Sequence, residues 1–271
     1  MPCELVVQAL TLADIARNVA LSRSVGWPDT ESEWAVIHQA ARVLGVEREG
    51  ELIGQGALGL FEGCASIAKM VVAPGAQRRG IGAKILDALL AEAKRRSLLR
   101  VGLVATPLGR PLYESRGFEP VAEVVIFAGT PLLNGEPSGS ASVADAEPLL
   151  ALERRFTGSA RTVVLRGRLQ AASASAICAN GFALATPQPM GSRVGPIFAD
   201  CEETARLLSK DLFLRLGGPV RLDVPGEQRA FRAWLSELGL VEKGVHLEMS
   251  RGGALPWQVP QRFAQATQAW G

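Results

Sequence analysis

One order of elements can be read twice along this 271-residue chain: strand, helix, strand, short helix, a glycine followed by a large apolar residue, strand. In the first half, residues 65–72 form an apolar strand ended by Pro74-Gly75. Residues 80–96 then carry Ile81, Ile85, Leu86, Leu89, Leu90 and Ala93 on one helical face, with Lys84, Asp87, Lys94 and Arg95 opposite. A buried strand over 101–106, a short helix over 111–116, Gly117-Phe118 and a strand to Phe127 complete the unit. In the second half the series is a turn and strand over 176–185 and a strand over 194–199. A helix capped by Asp200 with Glu203, a strand over 220–224 ended by Pro225, a helix over 228–238, Gly239-Leu240 and a strand over 245–249 follow. Such doubling predicts a tandem duplication of one α/β unit. The stretch over 130–142 (TPLLNGEPSGSAS), rich in proline, glycine and serine, is the expected linker between residues 1–129 and 143–271.

Ahead of the first unit, Thr11 and Asp14 mark a helix start, and a second start at Asp29 or Thr30 runs through Trp34 to Ala40. Apolar runs over 42–47 and 51–60 around Glu49-Gly50 predict a hairpin. With 48% hydrophobic residues the chain can fill two modest cores. A net charge of +2 spread along the chain gives no reason to expect nucleic acid or a membrane surface as partner. Cys3, Cys64, Cys178 and Cys201 are too scattered for a metal or redox pair, and two histidines exclude a histidine-rich metal site. With no signal peptide and no apolar run of spanning length, a cytoplasmic protein without a metal is expected.

The chemistry concentrates at residues 70–82, where a strand ends, a glycine-containing loop follows and an amphipathic helix begins. Free amides at a helix N-terminus, aided by its dipole, favour an anion. Gly80 and Gly82 let that anion approach the main chain, and Lys69, Arg78 and Arg79 add positive charge. A nucleotide P-loop requires Gly-Lys-Ser/Thr where this chain has Gly80-Ile81-Gly82-Ala83. A dinucleotide fold requires an acid at the end of the next strand, which here ends in Ala105-Thr106.

The run from Gln77 to Gly82 fits Gln/Arg-x-x-Gly-x-Gly/Ala, and Leu112-Tyr113 followed by Gly117-Phe118 stands at the expected separation downstream. On these two motifs the chain resembles the GNAT N-acetyltransferases, closely over residues 5–127. Its whole length resembles a tandem subgroup with a degenerate second domain. The resemblance implies an α/β (α+β) fold of tandem GNAT-like domains, each a mixed, mostly antiparallel central sheet flanked by helices. It further implies an acyl-CoA-dependent N-acyltransferase moving acetyl from acetyl-CoA to a primary amine on a small molecule or peptide.

By the same resemblance the backbone of Met70, Val71 and Val72 pairs with the pantetheine arm, with an amide near Val71 or Val72 facing the thioester oxygen. Gln77, Arg78, Arg79, Gly80, Ile81, Gly82 and Ala83 form the pyrophosphate loop. Tyr113, the chain's single tyrosine, has a phenol whose ordinary pKa of ~10 keeps it protonated at neutral pH, so it can donate to a leaving thiolate. Trp27, beside Pro28, is the acceptor-pocket candidate, whereas Trp34 inside a helix reads as core. No general base is named. Where relatives often carry glutamate this chain has Ser66, Glu62 falls in a loop, and His38 and His246 qualify only by residue type. In the second half, Asp200, Glu202 and Glu203 would repel a pyrophosphate, and Leu235 stands where the phenol should be. One active site per chain is therefore expected. The alternative is a non-catalytic acyl-CoA sensor or interaction module.

Overall fold

The computed structural model of the protein describes residues 5–137 and 145–270. Residues 138–142 of the expected linker lie outside the described residues. The first half runs β1 (Val7–Ala9), α1 (Ile15–Ser24), α2 (Glu31–Ala40), β2 (Ala41–Arg48), β3 (Glu51–Phe61) and β4 (Cys64–Val72). It continues through α3 (Ile81–Arg95), β5 (Arg100–Ala105), α4 (Arg110–Glu114) and β6 (Glu119–Gly129). The second half runs α5 (Glu147–Thr157), α6 (Thr162–Gln170), β7 (Ala174–Cys178), β8 (Gly181–Gln188) and β9 (Gly191–Ala199). It then passes through α7 (Glu202–Leu216), β10 (Val220–Pro225), α8 (Arg229–Glu237) and β11 (Val241–Arg251) to a closing β12 (Arg262–Ala264).

Local chemistry explains several boundaries. Thr30 starts α2 by accepting the Glu33 amide on its hydroxyl at 3.2 Å. Glu49 and Gly50, both at positive φ, make the tight turn that sets Arg48 against Glu51 in the β2–β3 hairpin. Two expectations are revised. Residues 176–185 belong to a hairpin, β7–β8, and α7 begins after Cys201, with the Asp200 carboxylate accepting instead from the Thr204 hydroxyl at 2.9 Å.

All twelve strands form one sheet in the order β1-β2-β3-β4-β5-β11-β6-β10-β9-β8-β7, with β12 added on β9. Within each half the pairing is antiparallel except where a helix crosses over, at β4–β5 and β9–β10. The halves exchange their last strands. β11 pairs with β5 and β6 pairs with β10, so the two exchanged strands lie side by side at the centre of the sheet. Val125 and Phe127 of β6 consequently pack in the core of the second half, and Met249 of β11 in the core of the first. The C-terminal segment also crosses back: Trp270 packs with Trp34 and Ile37, and Trp257 with Cys64. A Cβ on Gly59 would sit 2.3 Å from the Trp270 ring, so glycine there makes the seat for that indole.

Candidate active site

β4 and β5 pair only from Cys64↔Arg100 to Ile67↔Leu103. Further along, β4 stays with β3 while the other edge of β5 follows β11, so residues 68–72 present an unpaired main-chain edge toward β5. The same stretch of β4 is bulged. Lys69 and Met70 together stand opposite Gly56, with Lys69 in the left-handed region at φ 53°. A Cβ on Gly56 would lie 2.5 Å from the Met70 Sδ, so the bulge requires glycine across from it.

Beyond β4, the Gln77 amide donates to the Val72 carbonyl at 3.1 Å and ties the loop to the strand end. Arg78 (φ 62°) and Gly80 (φ 78°) turn the chain into α3, and both Arg78 and Arg79 are exposed. Gly80 offers α3 no side-chain cap, and the amides of Ile81, Gly82 and Ala83 have no backbone acceptor among the described residues. Close packing does not account for the two glycines. A Cβ on Gly80 meets nothing within 4 Å, and one on Gly82 makes only ordinary contact, at 3.5 Å from Leu112. The loop thus pairs free donors with free space, the combination an anionic group would fill.

Tyr113 projects from α4, its ring edge-on to Phe118 at 6.0 Å, and is 7% exposed. Gly117 at φ 77° reverses the chain so that the Phe118 amide returns to the Tyr113 carbonyl. Its hydroxyl makes no hydrogen bond to protein among the described residues, unlike that of a satisfied core tyrosine. Burial pushes the phenol above its ordinary value, so it is a proton donor at neutral pH.

Tyr113 faces a cavity of about 190 Å³ walled by both halves. The first half contributes Trp27, Asp29, Glu33, Ile67–Met70 of β4 and Thr106. The second contributes Arg193, Arg221, His246 and the tail residues Thr267–Ala269. Trp27 borders it, whereas Trp34 is fully buried and donates its indole N–H to Asp29 at 3.2 Å. Lys69 corrects an expectation. The bulge turns its side chain away from the phosphate loop, into ion pairs with Asp29 (2.6 Å) and Glu33 (3.2 Å). Burial alone would raise the Glu33 carboxyl; the charges of Lys69, Arg193 and Arg168 outweigh it and hold the group below the usual carboxylate value.

The two histidines separate clearly. His38 bonds to the Asn18 side chain at 2.9 Å beneath α1, outside the cavity lining. His246 lines the cavity, with its Nδ1 2.9 Å from Gln268 Oε1; in the neutral ring, donation to that oxygen places the lone pair on Nε2. Ser66 spends its hydroxyl on the Ala269 carbonyl at 3.0 Å. Glu62 sits in the exposed β3–β4 turn and does not line the cavity. Among the described residues no group of three His, Cys, Asp or Glu side chains could hold a metal ion, and no helix is long and apolar enough to cross a membrane.

The equivalent gap in the second half, between β9 and β10, is filled by the chain itself. β12 pairs with β9, and the Gln265 amide bonds to the Asp223 carbonyl of β10 at 2.9 Å. A Cβ on Gly195 would lie 2.0 Å from the Gln265 carbonyl, which shows how tightly the insert is seated.

Two models of the acetyltransferase (GNAT) domain match the chain, over residues 39–120 and over residues 149–263. YitH of Bacillus subtilis, an uncharacterised N-acetyltransferase, is 28% identical over 233 residues, covering 81% of this chain and 82% of that protein. A Pyrococcus horikoshii protein provisionally named an acetyltransferase superposes with a TM-score of 0.86 at 20% identity, covering 100% of this chain and 98% of its own. A tandem GNAT protein from the clavulanic acid biosynthesis pathway gives a TM-score of 0.69 at 17% identity over 93% of this chain and 99% of its own. The chain belongs to the GNAT acetyltransferase family and carries the domain twice in tandem.

Proposed function

We propose that the protein transfers acetyl from acetyl-CoA directly to a primary amine, with Tyr113 as general acid and His246 as general base. The observation that carries this reading is a single cavity bordered by the open edge of β4, the unpartnered Tyr113 hydroxyl and His246. Acetyl-CoA supplies an acyl carbon activated as a thioester. The unpaired edge at Met70, Val71 and Val72 suits the pantetheine amides as an added strand. The amides from Arg78 to Ala83, held by Gln77, suit the pyrophosphate. An amide near Val71 or Val72 faces the carbonyl oxygen as it gains charge.

Trp27 borders the acceptor side of the cavity. His246 Nε2 removes the amine proton, its ring oriented by Gln268, and Tyr113 delivers its proton to the departing sulfur. Direct transfer needs no covalent enzyme intermediate, and Cys64, the buried thiol nearest in sequence, lies at the start of β4, outside the cavity lining. Free-thiol release from acetyl-CoA across a panel of amino acids, polyamines, aminoglycosides and peptides tests the reaction. Release that no amine accelerates would leave only the binding module.

The phosphate loop is tested apart from turnover. Saturating acetyl-CoA, at about a thousand times its Kd, stabilises the fold by roughly 4 kcal/mol. Replacing Gly80 and Gly82 with alanine costs about 1 kcal/mol at the positive-φ site and regains a comparable amount inside the helix. We expect the variant to melt near the wild type without ligand and to lose most of the ligand-induced shift. An undiminished shift would put the pyrophosphate elsewhere. Calorimetric titration should give one acetyl-CoA per chain, because β12 and Gln265 fill the second gap.

A further inference from the structure

The charged side chains on the acceptor side of the cavity balance in number but are separated in space. Lys69, Arg193 and Arg221 line the cavity with Asp29 and Glu33, and Asp223 lies buried behind the two arginines, three cations against three anions. The charges are sorted into two poles. Lys69 is shared by Asp29 and Glu33, which leaves that pole one charge negative. Across from it, the fully buried Asp223 receives Arg193 on one oxygen and Arg221 on the other, the latter at 3.1 and 2.9 Å from Nε and Nη2. That pole is one charge positive.

Arg221 keeps a donor in reserve. It uses Nε and Nη2 on Asp223, and its Nη1 has no protein partner among the described residues. A bound anion balances the extra positive charge of that pole. A cavity of about 190 Å³ is also smaller than the roughly 300–1,000 Å³ usual for drug-sized ligands.

We infer that the acceptor is a small amino acid: a primary amine carrying a carboxylate, seated with the carboxylate on Arg221 and Arg193 and the amine between His246 and the Asp29–Glu33 pole. This rests on the acetyl-transfer reading and names its substrate class. Asp223 orients the Arg221 guanidinium so that its Nη1 is left to donate to a carboxylate, and Arg193 adds its charge beside it. The acidic pole attracts the acceptor as an ammonium, which releases one proton to solvent before attack, and His246 takes the second as the C–N bond forms.

The experiment compares matched acceptors in the thiol-release assay: glycine with glycinamide, β-alanine with β-alaninamide, lysine with lysinamide and 5-aminovalerate with pentylamine. At least one acid should exceed its uncharged partner by about 100-fold or more in kcat/KM, because a site built for a polar group rejects the analogue lacking it. Arg221→Gln should bring that ratio toward one, mainly through the acceptor KM, with acetyl-CoA affinity retained and a lowered melting temperature from the partner that Asp223 loses. Arg221→Lys, which keeps the charge, should recover part of the preference. Equal rates for acids and uncharged partners overturn the inference while leaving acetyl transfer intact. A preference unaltered in Arg221→Gln overturns the assigned seat. No thiol release with any amine overturns the acetyl-transfer reading itself, and this inference with it.

Discussion

Expressed alone, residues 1–129 and residues 143–271 are each expected to fail to give a cooperative thermal transition, whereas the two segments expressed together should recover the fold. The exchange of β6 and β11 dictates this result. Without the second half, β5 loses its partner β11, and Val125 and Phe127 of β6 lose the core they pack in. The first half also loses Met249 and Trp270 from its apolar clusters, and Trp257 from beside Cys64 and Phe61. At about 1.5–3 kcal/mol for each large apolar side chain, these five residues are worth roughly 10 kcal/mol. That is comparable with the whole stability of an ordinary domain, about 5–15 kcal/mol. Circular dichroism melts of the separate and coexpressed segments decide the matter. A sigmoidal melt from either half alone would mean that the strands re-pair within it and that the exchange is dispensable.

Tyr113→Phe is expected to lower turnover about 10- to 1,000-fold, the range for loss of a general acid. The ring keeps its contact with Phe118, and no protein group loses a hydrogen bond, because the hydroxyl has no protein partner among the described residues. Stability and acetyl-CoA affinity should therefore stay near wild type, which separates catalysis from packing. Steady-state rates with a good acceptor, checked by single turnover so that chemistry limits the rate, supply the test. An unchanged rate would make Tyr113 a wall of the cavity and nothing more.

What could be read from the sequence was local. The strand–loop–helix at residues 70–96 is specified within a few turns, as is the hairpin at Glu49-Gly50, and the structure contains both. The strand exchange was hidden because β6 and β11 carry apolar patterns that fit either partner, and pairing between strands so distant in the chain leaves no local mark. Helices α5 and α6 escaped for another reason. Their buried faces carry Glu153 and Arg168, and Gly167 where Val36 packs at close range, so the apolar stripe is broken. Lys69 pointed the wrong way because the bulge at residues 69–70 shifts the alternation of β4, and only its cross-strand neighbour Gly56 hints at it. His246, Arg193 and Arg221 reach Tyr113 only through the folded sheet, so spacing along the chain could not nominate them.

The most direct test follows the acetyl group itself. Acetyl-CoA labelled in its acetyl carbon is mixed with enzyme and the acceptor panel, quenched within one turnover, and the label is located by mass spectrometry. Direct transfer predicts that the label appears as an amide on an acceptor, in an amount equal to the thiol released, with none attached to the protein. Acetyl-CoA that binds once per chain and returns intact in the presence of every amine would contradict the account.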